Sequence, residues 1–193
     1  MNHGLRFILD NGFRYVGRLD AGDTVAVDRF EKQLAFMESN PDHAVVSSFV
    51  DFVDSSRNLL FRFRAPSDHE RIQRRMHVNT CVMHGGSMLR ASALRESGIY
   101  REDVPNAEDY ELFLRLGKQY KLAVIPEVLT WCEYSPQGIS LQGRRIQQIQ
   151  RLKLQLRYFD PLSPFSFYGI ARTLIGMATP QQVVLRFKQA YMR

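Results

Sequence analysis

The chain has 193 residues, of which 45% are hydrophobic and 24% are charged, a composition that excludes a wholly disordered protein. Its length predicts one domain, or one domain with an appendage. The net charge of +6 is unevenly distributed. Residues 143–193 contain nine Lys or Arg and one acidic residue, whereas residues 1–142 contain 17 basic and 19 acidic residues. A uniformly basic nucleic-acid-binding protein would not divide in this way, so nucleic acid is not the expected partner.

The two cysteines, Cys81 and Cys132, lie too far apart for a local metal motif and are too few for a disulfide framework. We interpret them as reduced, buried thiols of a cytoplasmic protein. The sequence contains no run of about 18 apolar residues that could span a membrane. Its first residues also lack the apolar stretch of a secretory signal, so we predict a cytoplasmic protein.

Apolar periodicity predicts alternating helices and strands along the chain. In chain order, the predicted elements are a helix at 2–9, a strand at 13–19, a helix at 27–39, a strand at 44–53, a helix at 67–76, a strand at 87–89, helices at 92–97 and 108–119, and strands at 122–125 and 128–133. Phe30, Leu34 and Met37 are predicted to form the inner face of the second helix. The alternation predicts an α/β fold whose sheet contains parallel strands.

A basic amphipathic helix is predicted at 142–159, followed by a proline-punctuated tail. We therefore divide the chain into a domain at 1–142 and a helical tail at 143–193. Two interpretations of the tail remain open. In the first, its helix packs an Ile/Leu face on the domain. In the second, its arginines and aromatic residues contact an anionic membrane surface.

The first candidate site is the turn containing Asp20 and Asp23, which follows the first predicted strand directly. Open α/β sheets bind ligands beyond the carboxyl ends of their strands. Two carboxylates on one tight turn repel each other unless a cation neutralises them, and Mg²⁺ prefers one or two carboxylates together with substrate phosphates. The alternative is a solvated Asp-Gly surface turn.

The second candidate site is formed by Glu108 and Asp109 at the start of a predicted helix. One of these carboxylates could act as a general base toward an acceptor hydroxyl. The alternative is structural, because acidic residues stabilise a helix amino terminus. A third candidate is His84, which precedes two glycines that allow a ligand to approach the backbone. A lone histidine of this kind can also be purely structural.

In order and spacing, these segments together resemble the middle of a family 2 glycosyltransferase of the GT-A fold. The resemblance extends over residues 1 to about 142. It rests on residues 2–5 (NHGL), 18–23 (RLDAGD), 28–33 (DRFEKQ), 44–46 (AVV), 84–90 (HGGSMLR), 107–116 (AEDYELFLRL) and 121–129 (KLAVIPEVL).

The resemblance implies a nucleotide-sugar donor, a divalent metal (Mg²⁺ or Mn²⁺) and inverting transfer to a glycan or lipid-linked acceptor in bacterial-type surface polysaccharide or glycan assembly. Asp20 would belong to the DXD element that holds metal and donor diphosphate, with Arg18 beside it. The third position of that element is Gly22, so either Asp23 shares the metal or Asp20 acts alone through water. Asp109 would be the catalytic base with Glu108 beside it, and His84 would lie near the donor phosphates or the acceptor.

The resemblance begins after the strands that hold the nucleotide base in that family. We therefore expect an N-terminally incomplete GT-A-like domain that has little activity by itself. The competing hypothesis is a non-catalytic relic of the fold that serves as an interaction module. If the tail contacts a membrane, the protein is expected to lie peripherally on the inner membrane face.

Overall fold

The computed structural model describes residues 1–134 and 143–179. Its helices are α1 (Asn2–Asp10), α2 (Arg29–Ser39), α3 (His69–Met76), α4 (Ala91–Ser97), α5 (Glu108–Leu116), α6 (Arg144–Arg157) and α7 (Pro164–Ala178). Its strands are β1 (Tyr15–Gly17), β2 (Thr24–Val25), β3 (His43–Val53), β4 (Leu59–Phe63), β5 (Met88–Arg90) and β6 (Lys121–Glu133).

The described strands form one mixed sheet in the order β1-β5-β3-β6-β2, with β4 also paired to β3. The pair β3–β6 is parallel and the other pairs are antiparallel. This arrangement confirms the predicted α/β fold. Strand β3 lies centrally because its small and β-branched residues, among them Ala44, Val45 and Val46, are fully buried.

The strand pair predicted at 122–125 and 128–133 is instead the single strand β6. Its pairing with β3 shifts around Pro126, from Ser48 opposite Ile125 to Phe49 opposite Val128. Proline has no backbone N–H to donate, so the ladder is irregular at this point without ending.

The sequence did not predict β4, whose apolar residues are interrupted by Arg62. In the structure Arg62 of β4 forms a two-point ion pair with Asp51 of β3, at 2.6 and 2.8 Å. An acidic partner on the neighbouring strand thus accommodates a basic residue that looks unfavourable in the sequence alone. The two-residue strand β2 was also missed.

The main core lies between the sheet and α3, α4 and α5. Helix α5 contributes Leu112, Phe113 and Leu116, all fully buried, and α3 contributes Ile72 and Met76. This packing fixes the amino end of α5 against the sheet.

Helices α6 and α7 pack together and contact the chain at residues 77 and 78. The Gln155 side chain donates to the Val78 carbonyl at 3.0 Å, and Leu154 joins the main core. Gly169 touches the His77 backbone so closely that a Cβ atom there would clash. The division of the chain at residue 142 stays a prediction, and residues 135–142 and 180–193 lie outside the described part. None of the described helices is long and apolar enough to cross a membrane.

Candidate active site

The turn after β1 is held by backbone and side-chain contacts of its first residues. The Arg18 N–H donates to the Ser87 carbonyl at 2.8 Å, and its guanidinium donates to Asp20 Oδ1 at 3.0 Å. The Asp23 N–H closes the turn on the Asp20 carbonyl at 3.2 Å. Between the two acids, Gly22 has φ of +91°, a conformation that an acidic residue adopts only with strain. The turn geometry therefore accounts for glycine at the third position of the DXD-like element.

Asp20 and Asp23 converge on the backbone of the HGGS segment. A Cβ atom at Gly85 would lie 3.0 Å from Asp20 Oδ2 and 3.2 Å from Asp23 Oδ2. Glycine is needed at this position because both carboxylates occupy the space of a side chain. The two carboxyl groups thus face the same point in space.

The two acids differ in how far their oxygens are already bonded. Asp23 accepts from the Cys132 thiol at 3.1 Å and from the Glu133 N–H at 3.1 Å, one bond to each oxygen. Asp20 bonds Arg18 through Oδ1, and its side chain is 52% exposed. Asp20 is therefore the more accessible of the two carboxylates.

The donor set of this turn fits a hard divalent cation. Burial raises the pKa of Asp23, and the neighbouring negative charge of Asp20 adds to the increase. A cation between the two carboxylates would relieve that repulsion. Within residues 1–134 and 143–179, no three or more His, Cys, Asp or Glu side chains are grouped to hold a metal. A cation here would thus need further oxygen ligands from phosphate or water, as Mg²⁺ commonly does.

A buried polar pair on α2 supports this turn from beneath, and sequence analysis missed its role. Arg29 is fully buried and donates to the carbonyls of Arg18 and Ser87 at 2.7 and 3.2 Å. Gln33 is also fully buried and donates to the Gly86 carbonyl at 2.8 Å. Arg29 further donates to the Gln33 side chain at 3.1 Å. One helix face therefore fixes both the acidic turn and the glycine pair.

The prediction for the inner face of α2 was consequently wrong in part. Met37 is buried, but Phe30 and Leu34 are 45% and 39% exposed. Arg29 and Gln33 lie one turn apart and share the buried face with Met37. The sequence did contain a signal for this buried face, because Arg29 and Gln33 form a polar i, i+4 pair close to the turn predicted to bind a ligand. Apolar periodicity instead favoured Phe30 and Leu34 as the buried residues.

His84 lies over the same cleft and pairs with Tyr100. Its Nε2 lies 2.6 Å from the Tyr100 hydroxyl oxygen, and the two rings meet edge to face. Burial, with help from the positive charge of Arg18, lowers the pKa of His84 to about 4. His84 is therefore neutral at physiological pH and offers a hydrogen bond rather than a positive charge.

Asp109 lies at the amino end of α5, where the chain turns through Asn106 with φ of +64°. Its Oδ1 accepts from the Tyr110 N–H at 2.7 Å. The carboxyl group lines a small cavity of about 30 Å³ that it shares with Thr80 and Arg151. Burial raises the pKa of Asp109, and the negative charges of Glu108 and Asp20 add to the increase. A carboxylate with a raised pKa is a stronger base than an exposed one.

The two acidic sites predicted from the sequence interact through their charges. Asp20 contributes to the raised pKa of Asp109. Burial raises the pKa of Tyr100 to about 12, and that pKa also responds to Arg18, Asp109, Asp20 and Glu108. The two acidic sites are therefore close enough for their charges to interact. Sequence analysis missed Tyr100, whose pKa is affected by groups of both sites.

Taken together, the sheet and the two acidic sites define a protein with the GT-A fold, the class to which the structural comparisons also lead. The protein family model described as glycosyltransferase like family 2 matches residues 11–193. The chain therefore belongs to the glycosyltransferase like family 2, as the sequence resemblance indicated.

Three curated relatives carry glycosyltransferase names. An uncharacterised glycosyltransferase of Methanocaldococcus jannaschii is 29% identical over 60% of this chain and 40% of its own length. An uncharacterised glycosyltransferase of Haemophilus influenzae is 25% identical over the whole chain and 74% of its own length. The amylovoran biosynthesis glycosyltransferase AmsE of Erwinia amylovora is 28% identical over 67% of the chain and 47% of its own length. The chain thus spans less than half of two of these relatives.

The solved structures that resemble this chain include two crystal structures of S. aureus TarS. TarS 1–349 in complex with UDP superposes with a TM-score of 0.56 at 14% identity, covering 86% of this chain and 48% of TarS 1–349. A second crystal structure of TarS 1–349 gives a TM-score of 0.55 at 12% identity, over 87% of this chain and 48% of that one. At this level of identity the likeness establishes the fold.

Proposed function

We propose that this protein transfers a sugar from a nucleotide-sugar donor to an acceptor hydroxyl, with inversion at the anomeric carbon. The observation that carries the proposal is the charge interaction between Asp20 and Asp109, two acids whose surroundings suit different tasks. Asp20 is exposed and faces Asp23 across Gly85, whereas Asp109 is enclosed and has a raised pKa. Family membership supports the same chemistry.

In this proposal Asp109 accepts the proton of the acceptor hydroxyl as that oxygen attacks the sugar from the face opposite the diphosphate. Glu108 lies beside it and keeps negative charge near the attacking oxygen. Asp20 and Asp23 would hold Mg²⁺ or Mn²⁺, which when bound supplies positive charge to the leaving diphosphate. Arg18, which bonds Asp20, and the neutral His84 would contact donor or acceptor.

The comparisons support a role in surface polysaccharide or glycan assembly. AmsE is named for amylovoran biosynthesis, and the TarS structure holds UDP. We extend both to this chain as a proposal, with UDP as the first nucleotide to test. The competing function is a non-catalytic interaction module that retains the fold.

Calorimetric titration of UDP, GDP and TDP, each with Mn²⁺ and then with excess EDTA, tests the proposal. We expect one nucleotide to bind with Mn²⁺, to lose affinity with EDTA, and to bind at least about tenfold more weakly to Asp20→Asn. Asp103→Asn is the matched control, because Asp103 is exposed and pairs with Arg101 away from the cleft. The absence of binding by any nucleotide, or equal binding by wild type and Asp20→Asn, would favour the interaction module.

We also propose a peripheral contact of residues 143–193 with the inner membrane face. Helices α6 and α7 and the segment between them expose many large apolar side chains; the most exposed are Leu156, Leu162, Phe167, Tyr168 and Ile175. Because α6 also contributes Leu154 to the core, point substitutions are preferable to deletion. We expect Phe167→Ser with Ile175→Ser to abolish salt-sensitive flotation with anionic liposomes, whereas unchanged flotation would argue against this contact.

A further inference from the structure

A second cavity, of about 520 Å³, lies where α3 meets α7. Arg71, Arg74 and Arg75 recur at helical spacing and therefore lie on one face of α3. Arg172 of α7 lies across the cavity from them, and no acidic residue is among the lining residues. The proposed metal and donor groups, Asp20 and Asp23, lie elsewhere in the molecule.

The positive charge of this cavity is poorly compensated. Arg71 and Arg74 approach Asp68 and Glu70 at 3.5 and 3.8 Å, both as exposed pairs, and such pairs contribute little. Within the described residues, Arg75 and Arg172 have no ion pair. The charge of Arg172 also lowers the pKa of Arg151, although burial of Arg151 is the larger cause. Unbalanced arginines in a concave site favour a multiply charged anion, and guanidinium groups bind phosphate oxygens in pairs.

Aromatic side chains line the same cavity. Phe165 and Tyr168 of α7 are 42% and 61% exposed, and Phe63 of β4 lies opposite them. The cavity therefore combines cationic groups with apolar surface, which suits a phosphate group attached to a larger organic body rather than a free inorganic ion.

This cavity adjoins the small cavity of Asp109. Asn79 and Thr80 line both of them. The Asn79 Oδ1 atom is buried and accepts no hydrogen bond from any described residue. A hydroxyl-rich ligand extending from the larger cavity toward Asp109 could donate to this oxygen.

We infer that the arginine cavity binds a diphosphate group of the acceptor and directs the acceptor hydroxyl toward Asp109. This inference rests on the proposed glycosyl transfer for the role of the ligand, but the anion site can be tested separately. A diphosphate fits better than a single carboxylate because the arginines on two helices are spread over a cavity that is wider than one carboxylate. The acceptor rather than the donor is assigned here because the proposed donor diphosphate lies at Asp20 and Asp23.

The test is calorimetric titration of the full chain with inorganic pyrophosphate in excess EDTA, which removes metal-dependent binding at Asp20. We expect Arg75→Gln and Arg172→Gln each to weaken binding about tenfold, since each removes a charge-assisted contact. Arg172→Lys should fall between wild type and Arg172→Gln, because lysine keeps the charge but loses the paired geometry. Lys153→Gln is the matched control, as Lys153 is an exposed cation of α6 that does not line the cavity. Asp20→Asn should bind pyrophosphate as wild type does.

Several results would overturn the inference: no pyrophosphate binding, equal binding by all the arginine variants, or loss of binding in Asp20→Asn alone. A parallel measurement uses vesicles of equimolar phosphatidylcholine and phosphatidylglycerol. The inference also fails if the wild type does not bind pyrophosphate but Arg75→Gln weakens binding to these vesicles. In that case the arginines bind a lipid surface. If pyrophosphate binds as expected but no nucleotide binds with Mn²⁺, the anion site is supported and the proposed function is what fails.

Discussion

The acidic turn after β1 and the acidic start of α5 contain the same type of functional group in opposite surroundings. Asp20 is half exposed and paired with Arg18, on a turn that Gly22 and Gly85 keep open. Asp109 is enclosed at a helix start, and burial raises its pKa. Local environment, rather than residue type, thus separates a carboxylate suited to cations from one suited to accepting a proton.

The largest expected effect is on the enclosed acid. Asp109→Asn removes the proposed base and should lower kcat by about 10²–10⁴-fold while donor binding changes little. In the wild type, kcat/KM should rise with pH through the raised pKa of Asp109, because only the ionised carboxylate accepts a proton. Steady-state kinetics against pH test both statements, with Asp103→Asn as the control. A variant that keeps wild-type kcat would remove Asp109 from the mechanism.

The next largest effect is a loss of stability when Arg29, which supports the turn of Asp20 and Asp23, is replaced. Arg29→Met leaves the carbonyls of Arg18 and Ser87 without their buried donor, and should lower the free energy of unfolding by roughly 2–4 kcal/mol. Urea denaturation measures this loss. Arg6→Met is the control, because Arg6 forms only an exposed pair with Glu102 and should change stability by less than about 1 kcal/mol. Equal effects of the two variants would contradict the supporting role of Arg29.

A smaller effect is expected for His84, which is neutral at physiological pH. The pKa of His84 in the folded protein, about 4, lies below its ordinary value of 6.5. Its contribution to stability is therefore complete above pH 6.5 and is lost as the pH falls toward 4. Between pH 7 and pH 5 the loss should be about 2 kcal/mol.

Urea denaturation in EDTA at these two pH values checks the expectation. His84→Gln should lose correspondingly less stability than wild type on acidification. His3→Gln, which alters an exposed histidine of α1, should follow wild type. A His84→Gln slope identical to that of wild type would mean that this histidine is not buried in its neutral form.

The smallest expected effect is the difference between Asp20 and Asp23 in Mn²⁺-dependent nucleotide binding. Both oxygens of Asp23 already accept hydrogen bonds, whereas Asp20 Oδ2 faces the cleft. We therefore expect Asp20→Asn to weaken Mn²⁺-dependent nucleotide binding about tenfold more than Asp23→Asn does. Calorimetry of the two variants makes the comparison. Equal losses would contradict this ranking and show that the two carboxylates contribute equally to holding the cation.

The order of helices and strands followed from the sequence wherever local apolar pattern dominated. The strand β3 was predicted from its continuous run of apolar and β-branched residues, and both halves of β6 were predicted as strands. The helix α5 was predicted from its apolar period of 3.6 residues. Strand β4 was missed because its arginine is compensated by Asp51, a residue from another strand. Similarly, the inner face of α2 was assigned to Phe30 and Leu34, because the carbonyl groups that attract Arg29 and Gln33 belong to distant segments.

The sequence by itself determined the family and the positions of the acidic turn, the glycine pair and the acidic helix start, because those signals are local combinations of residue types. Only the tertiary structure brought Asp20 close enough to Asp109 for their charges to interact, and gathered arginines of α3 and α7 around a cavity. The physical reason is that burial, charge interaction and cavity shape depend on residues far apart in the chain, and no local pattern contains those distances.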